Sequence, residues 1–214
     1  MIADKPPRLP TRERVLDAAE ALLSQGSAAF SMRDLAEAAG VSFATPFNQF
    51  GSKAAIMLAL SARRIALMQE RFARATLPSA SVARVLATID IAAAVMLAAP
   101  SVNRAVMGAI GAPGEAAGDV SRQSAALWAE ALGTGQGLAA DTLSLGLATL
   151  PGQLAVAFRG VLSFWTAGEF TDRSLPGHAR CAAAATLLGF AEAADRGRLL
   201  KILQAGSAEG GRTR

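Results

Sequence analysis

Residues 31 to 53, SMRDLAEAAGVSFATPFNQFGSK, constrain this chain more than any other stretch, because they call for two short helices that cross over a tight turn. Ser31 with Asp34 three residues on is close to a capping box, and Met32, Leu35, Ala36 and Ala39 then recur at helical spacing. Gly40 stands where that pattern stops, suited to a left-handed helix end. Val41 turns back to the core, and Ser42 offers an oxygen to cap a second helix. The pattern predicts a helix-turn-helix, with Ala36 and Gly40 small enough for the two helices to cross closely. Pro46 lies four residues beyond the expected Ser42 cap, where the carbonyl of Ser42 would lose its partner, so the second helix is expected to be short and irregular at its start.

Gly40-Val41-Ser42, then Ala44-Thr45, Phe47, Phe50, Gly51, Ser52 and Lys53, resemble the signature of the tetracycline-repressor (TetR) family of bacterial transcriptional regulators. The match runs upstream through Arg14, Ala18, Ala19 and Gly26 and downstream to Leu58. A bare helix-turn-helix pattern arises by chance in many Ala-rich segments. The Phe-x-x-Phe-Gly-Ser-Lys tail at its fixed distance from Gly40 makes the resemblance specific. Two departures stand out. Phe47 stands where the family usually has Tyr, and Gln49 where it often has His. The chain contains no Tyr, so a phosphate contact through a phenol is not open to it.

With 214 residues and 52% hydrophobic content, the chain has ample material for one or two cores. Aromatic residues make up only 5%, and abundant Ala with few β-branched runs argues for an all-α protein of closely packed helices. The single Cys181 rules out an internal disulfide framework and fits a reducing cytoplasm. The N-terminus lacks an apolar signal core. The longest uncharged run, Thr142 to Phe158, is interrupted by Pro151-Gly152-Gln153 and falls short of the roughly 20 apolar residues of a spanning helix, so no membrane partner is expected. Net charge is +4, and residues 1 to 53 carry six charges of each sign. Lys5, Arg8, Arg12, Arg14, Arg33 and Lys53 allow a DNA face without a basic domain.

In chain order, residues 1–10 read as a flexible arm rich in Pro, with Lys5 and Arg8 in reach of phosphates. Thr11 is expected to cap a first helix with an apolar stripe of Val15, Leu16, Ala19, Leu22 and Leu23, ended by Gly26. The resemblance implies that this helix and the pair above form a three-helix DNA-binding domain over residues 11–55. A long helix from Lys53 to about Arg74 then links it to a domain over residues 56–206. Its Arg63, Arg64, Arg71 and Arg74 read as solvated or paired charges before they read as a nucleic-acid stripe. Further helices are expected over 79–99, stopped by Pro100, and over 101–110 and 120–132, with a loop at 111–114. Gly133, Gly135 and Gly137 form a glycine-rich connection. No strand precedes it and no Lys-Ser or Lys-Thr follows, so it is not a phosphate-binding loop. Two helices, 150–166 and 176–203, close the chain before a frayed tail over 207–214. Both carry apolar residues on more than one face, and the resemblance implies that the last two long helices form a four-helix dimer interface. Phe158, Leu162, Trp165, Leu187, Leu188 and Ala191 are its candidates.

His178 and Cys181 stand three apart and share a helix face, but a zinc site needs further ligands and a Cys nucleophile an orienting third group. No metal, cofactor or catalytic residue is expected. Asp90, in an otherwise uncharged run, is either an anchor for a ligand or an ion-pair partner of an Arg such as Arg104. Met96, Met107 and Trp128 are candidates to line a ligand pocket, or simply core.

The sequence therefore reads as a cytoplasmic, homodimeric TetR-like transcriptional regulator. It is expected to bind a palindromic double-stranded DNA operator and a small, apolar effector that lowers operator affinity. Phe43, Ala44, Thr45 and Asn48 are assigned to base edges, and Ser42, Gln49 and Lys53 to the backbone, with Arg12, Ser31 and Arg33 as further backbone candidates. The resemblance sets the Phe47 ring near a phosphate. The rival reading is an all-α ligand-binding or redox enzyme centred on His178 and Cys181, with the helical hairpin as a structural feature.

Overall fold

The computed structural model describes residues 10–27, 29–111 and 119–210, and of residues 207–210 the backbone alone. Residues 1–9 of the arm expected at 1–10, most of the loop expected at 111–114 and the last four residues lie outside the described residues. The helices are α1 (Thr11–Ser24), α2 (Met32–Ala38), α3 (Ala44–Phe50), α4 (Lys53–Arg74), α5 (Ser81–Leu97), α6 (Pro100–Gly111), α7 (Val120–Leu132), α8 (Leu143–Thr166), α9 (Leu175–Leu187) and α10 (Ala193–Gly210). The described residues contain no β-strand, only an isolated bridge between Leu138 and Ala191, so the architecture is all-α.

The helix-turn-helix forms as its sequence demands. Ser31 Oγ accepts the Asp34 N–H at 3.2 Å, while the Asp34 carboxylate accepts the Ser31 N–H at 2.8 Å, which completes the capping box of α2. Gly40 takes φ 61°. Val41 N–H reaches Ala36 O at 3.0 Å and Gly40 N–H reaches Glu37 O at 3.0 Å, the paired bonds of a Schellman end.

The start of α3 differs from the expectation. Ser42 does not cap it: its hydroxyl lies 2.7 Å from Thr45 Oγ1, and Phe43 occupies the cap position without a side-chain bond. Pro46 is therefore the third helical residue, where a backbone N–H has no intrahelical acceptor to lose. Ser42 O instead accepts the Thr45 N–H at 2.9 Å. Likewise Thr11 lies inside α1, with Pro10 at the cap position.

Two cores follow. The first gathers Val15, Leu16, Ala19 and Leu23 of α1, Phe30, Leu35 of α2, and Ile56, Met57 and Leu60 of α4. It also takes Val102 and Val106 from α6, so this core extends past residue 55 along α4 and docks onto the second half of the chain. The second core centres on Trp128, Leu150, Leu154, Trp165 and Leu187, all fully buried. Helices α5 and α6 meet at 100°. The buried Asn103 side chain holds the bend, donating to the carbonyls of Met96 at 2.7 Å and Val95 at 3.3 Å, which the end of α5 leaves free.

Two expectations for the C-terminal half are corrected. The penultimate helix starts at Leu143, not Leu150, and runs through Pro151. The proline denies Leu147 O one bond, but Gly146, Leu150, Leu154 and Phe158 lie on one buried face, and their packing carries the helix across. The run 176–203 is not one helix. It breaks after Leu187 because the backbone at 190–192 pairs with the glycine-rich connection: Ala139 N–H reaches Phe190 O at 2.8 Å and Glu192 N–H reaches Gly137 O at 3.1 Å. The connection comes this close because Gly135, at φ 81°, has no Cβ to strike Leu143.

Candidate nucleic-acid interface and internal cavity

Helix α3 turns its inner side, Pro46 and half of Phe50, toward the first core and exposes Ser42, Phe43, Ala44, Phe47, Asn48 and Gln49. Phe43 is 55% exposed and Phe47 42%, an unusual degree for two aromatic rings that pack edge to face at 5.7 Å. Thr45 is less exposed, its hydroxyl engaged with Ser42.

Three cations frame this face. Arg33, in the first turn of α2, stands over the Phe43 ring at 5.7 Å and is exposed. Arg12 lies over the Phe50 ring at 4.3 Å and donates to Gln49 O at 3.2 Å, which ties the start of α1 to the end of α3. Lys53 behaves differently. Its ammonium donates to Phe30 O at 2.8 Å and covers the Phe30 ring at 4.2 Å, and burial pushes its pKa down while Asp34 offsets part of that. It pins the α1–α2 connection to the start of α4. Ser31 serves as an acceptor in the capping box, with its proton still able to donate.

Sequence reasoning passed over Arg14 as a structural clamp. It donates to Ala39 O at 2.7 Å and Gly40 O at 2.9 Å and so fixes the turn from α1. No local pattern signals a bond that spans 25 residues.

A cavity of about 660 Å³ opens between α4, α5, α6, α7 and α8. Met96, Met107 and Trp128 line it, together with Met68 and Phe158, the latter edge to face with Trp128 at 5.6 Å. Asp90 does not. It pairs with Arg180 at 3.0 Å away from the cavity, while Arg104 pairs with Asp172 at 2.6 Å. Two arginines that the sequence reading did not connect to a pocket also line it, Arg64 and Arg159. Arg64 binds Glu20 of α1 at 2.8 Å. Its neighbour Arg63 reaches Glu13, Asp17 and Glu20, so these charges of α4 are paired with α1.

The residues expected at a dimer interface lie inside the protomer instead. Phe158, Leu162, Trp165, Leu187 and Ala191 are buried in its own core, and Leu188 is partly buried against it. Packing α9 between α8 and α10 uses up the face that a two-helix ending would have left free. The large apolar residues left outward on α8 are Leu145, Val156 and Phe164, with Val156 64% exposed. His178 stacks on Phe170 at 3.7 Å, and Cys181 donates to Ile202 O at 3.4 Å. Among the described residues no cluster of three His, Cys, Asp or Glu could hold a metal.

Residues 15–60 match the family described as bacterial regulatory proteins, tetR family. The chain is similar to a TetR transcriptional regulator from Rhodococcus sp. RHA1, at 22% identity with a TM-score of 0.66 over 83% of this chain and 96% of that one. It is also similar to a protein of unknown function from Rhodococcus sp. RHA1, at 22% identity with a TM-score of 0.55 over 88% of this chain and 100% of the other. At so low an identity these likenesses bear on the fold alone. Curated proteins offer no match. The helix-turn-helix thus matches the DNA-binding unit of the TetR family over residues 15–60, and the rest of the chain shares its fold with the solved structures above.

Proposed function

We propose that the protein is a ligand-responsive repressor that works in the cytoplasm, binds a palindromic operator as a homodimer and leaves it when a small molecule with an apolar body fills the cavity. The observation that carries this reading is Arg64, which lines the cavity and at the same time binds Glu20 of α1 in the DNA-binding unit. A ligand that displaces α4 or α6 moves that unit. Two recognition helices held by one dimer must enter successive major grooves about 34 Å apart, so a change in their separation weakens both half-sites. Only a ligand with different affinities for the two arrangements drives the change.

In this reading residues 11–55, continued by the start of α4, contact DNA, and the remainder binds ligand and partner. Phe43, Ala44 and Asn48 face the bases, the Phe43 ring offering apolar contact to a thymine methyl group and Asn48 a pair of hydrogen bonds to adenine, while the edge of the Phe47 ring lies beside a phosphate. Arg33, Arg12, Ser42 and Gln49 contact phosphates. The dimer forms through the outward face of α8, where Leu145, Val156 and Phe164 alternate with Gly152 and Gly160. A Cβ at either glycine would meet nothing within 4 Å, and the two leave room for a partner helix to approach.

Selection of bound fragments from the native genome, followed by titration of the recovered duplex, tests the reading. The expected product is a two-fold symmetric sequence with half-sites about one helical turn apart, bound by two chains. Recovery of no sequence, with retention of random duplex at every salt concentration, defeats it.

A further inference from the structure

Arg159 projects from α8 into the cavity, partly buried, and none of the described acidic residues pairs with it. Among the described residues its guanidinium bonds only Met107, donating to the thioether sulfur at 3.3 Å and the backbone carbonyl at 3.4 Å. Both are weak partners for a group that carries five N–H donors. The second cavity arginine, Arg64, is by contrast satisfied by Glu20 and by the Asn103 side chain. No Asp or Glu occurs among the described residues that line the cavity, whose remaining polar lining is Ser61, Asn103, Ser121, Ser124 and Ser163.

An arginine taken partly out of water without a counter-ion is costly, and burial pushes the Arg159 pKa down from its usual value. Carbonyl and thioether dipoles return only part of that cost. A carboxylate returns more, since it accepts two parallel bonds from the guanidinium fork in a medium where charge attraction is weakly screened. Beyond the arginine the walls are apolar, formed by Met68, Met96, Leu127, Trp128 and Phe158. The volume of about 660 Å³ falls within the range of roughly 300–1,000 Å³ of small-molecule sites.

We infer that the cavity takes an anionic amphiphile, a monocarboxylate on an apolar chain or ring system, with Arg159 as counter-ion to the carboxylate and the Met and aromatic walls around the rest. This rests on the reading of the cavity as the effector site and replaces a wholly apolar effector with an amphipathic one. It also accounts for the arginine: a site for a neutral hydrocarbon has no use for a cation that none of the described acidic residues pairs with.

The test is calorimetric titration of the full-length protein with two matched pairs, decanoate against decanol and 2-naphthoate against 2-naphthol, repeated on Arg159→Gln and Arg159→Lys. The wild type is expected to bind at least one carboxylate ten times more tightly than its neutral partner. Arg159→Gln loses that margin while it still binds the alcohol, and Arg159→Lys keeps a preference for the acid. Equal or tighter binding of the alcohols by the wild type overturns the inference, as does failure of both carboxylates to bind. A carboxylate preference that survives in Arg159→Gln also overturns it. Should Arg159→Gln bind nothing, Arg159→Lys decides, and loss of the acid preference there overturns the inference too. Release of the operator is read in parallel. Arg159-dependent binding that leaves operator affinity unchanged removes the effector reading and spares the anion site, whereas release by the alcohols alone does the reverse.

Discussion

Arg64 donates from Nε to the Asn103 side-chain oxygen at 2.7 Å, a bond that joins the middle of α4 to α6 at the wall of the cavity. Through Nη2 the same guanidinium holds Glu20 of α1, and through its amide Asn103 holds the end of α5. Four helices thus meet at two side chains. A shift of α6 against α4 cannot leave α1 where it was without breaking a charge-assisted bond.

Asn103→Ala removes one acceptor and two donors from a site that is 1% exposed. It leaves the Met96 and Val95 carbonyls and one Arg64 nitrogen to find other partners. Unmade buried bonds of this kind cost about 1–3 kcal/mol, so the unfolding free energy is expected to fall by that amount, read as a lower urea midpoint at unchanged slope. A midpoint within error of the wild type means that water replaces the amide at the bend.

Arg64→Met keeps an unbranched apolar stem and removes both polar links. If the link between cavity and DNA-binding unit runs through this residue, the drop in operator affinity on saturation with effector should shrink by about 0.5–2 kcal/mol, the scale found for residues along coupled networks. Operator affinity is measured with and without ligand at ligand saturation, so a changed ligand affinity does not enter. An undiminished drop places the coupling elsewhere, in the docking of Val102 and Val106 on the first core.

Arg33 and Lys53 separate electrostatic contact from architecture. Arg33 is exposed and forms no ion pair among the described residues, and Arg33→Ala is expected to weaken binding to all duplexes about equally and to lower the slope of log affinity against log salt by about one. Lys53→Met removes the bond to Phe30 O, so its expected effect is a loss of about 1.5–3 kcal/mol in unfolding free energy, the range for a hydrogen bond to a charged group. The reverse pattern, slope moved by Lys53 and stability by Arg33, exchanges their roles.

The helix-turn-helix was legible because each of its devices is local: Ser31 with Asp34, Gly40 at the helix end, Gly51-Ser52 before α4. Helix existence along the chain was legible from apolar periodicity for the same reason. Periodicity does not say what an apolar face packs against. Leu187 and Trp165 read equally well as partner-facing or core-facing, and the deciding fact, that residues 190–192 leave the helix to pair with 137–139, lies some fifty residues away in sequence. Asp90 with Arg180, Arg64 with Glu20 and Arg159 with Met107 are all pairings across such distances, beyond the reach of spacing rules.

The dimer assignment changes accordingly. Phe164→Glu and Leu145→Glu place a carboxylate on the outward face of α8, where a monomer tolerates it, and should halve the sedimenting mass without loss of helicity. Leu187→Glu instead buries an unpaired charge in the core, at a cost of several kcal/mol, and should prevent folding. Outward variants that remain dimeric put the interface on another face.

Phe47 offers the sharpest test of how α3 meets DNA. The ring is 42% exposed and leans on Phe43, so a hydroxyl added at its far edge displaces no core atom. Relatives that carry Tyr here, as the resemblance implies, offer a phenol to phosphate, and Phe47→Tyr supplies the same neutral donor. The net value of one such bond is about 0.5–1.5 kcal/mol, so operator affinity should rise up to roughly tenfold. No charge is added, and the salt slope should not move. Preference among operator variants should not move either, because a phosphate contact carries no base identity. A fall in affinity on every duplex means that the hydroxyl loses water without finding the phosphate. A fall confined to duplexes with thymine at one position means that the Phe47 ring reads a methyl group, and α3 then lies deeper in the groove than a backbone role for Phe47 allows.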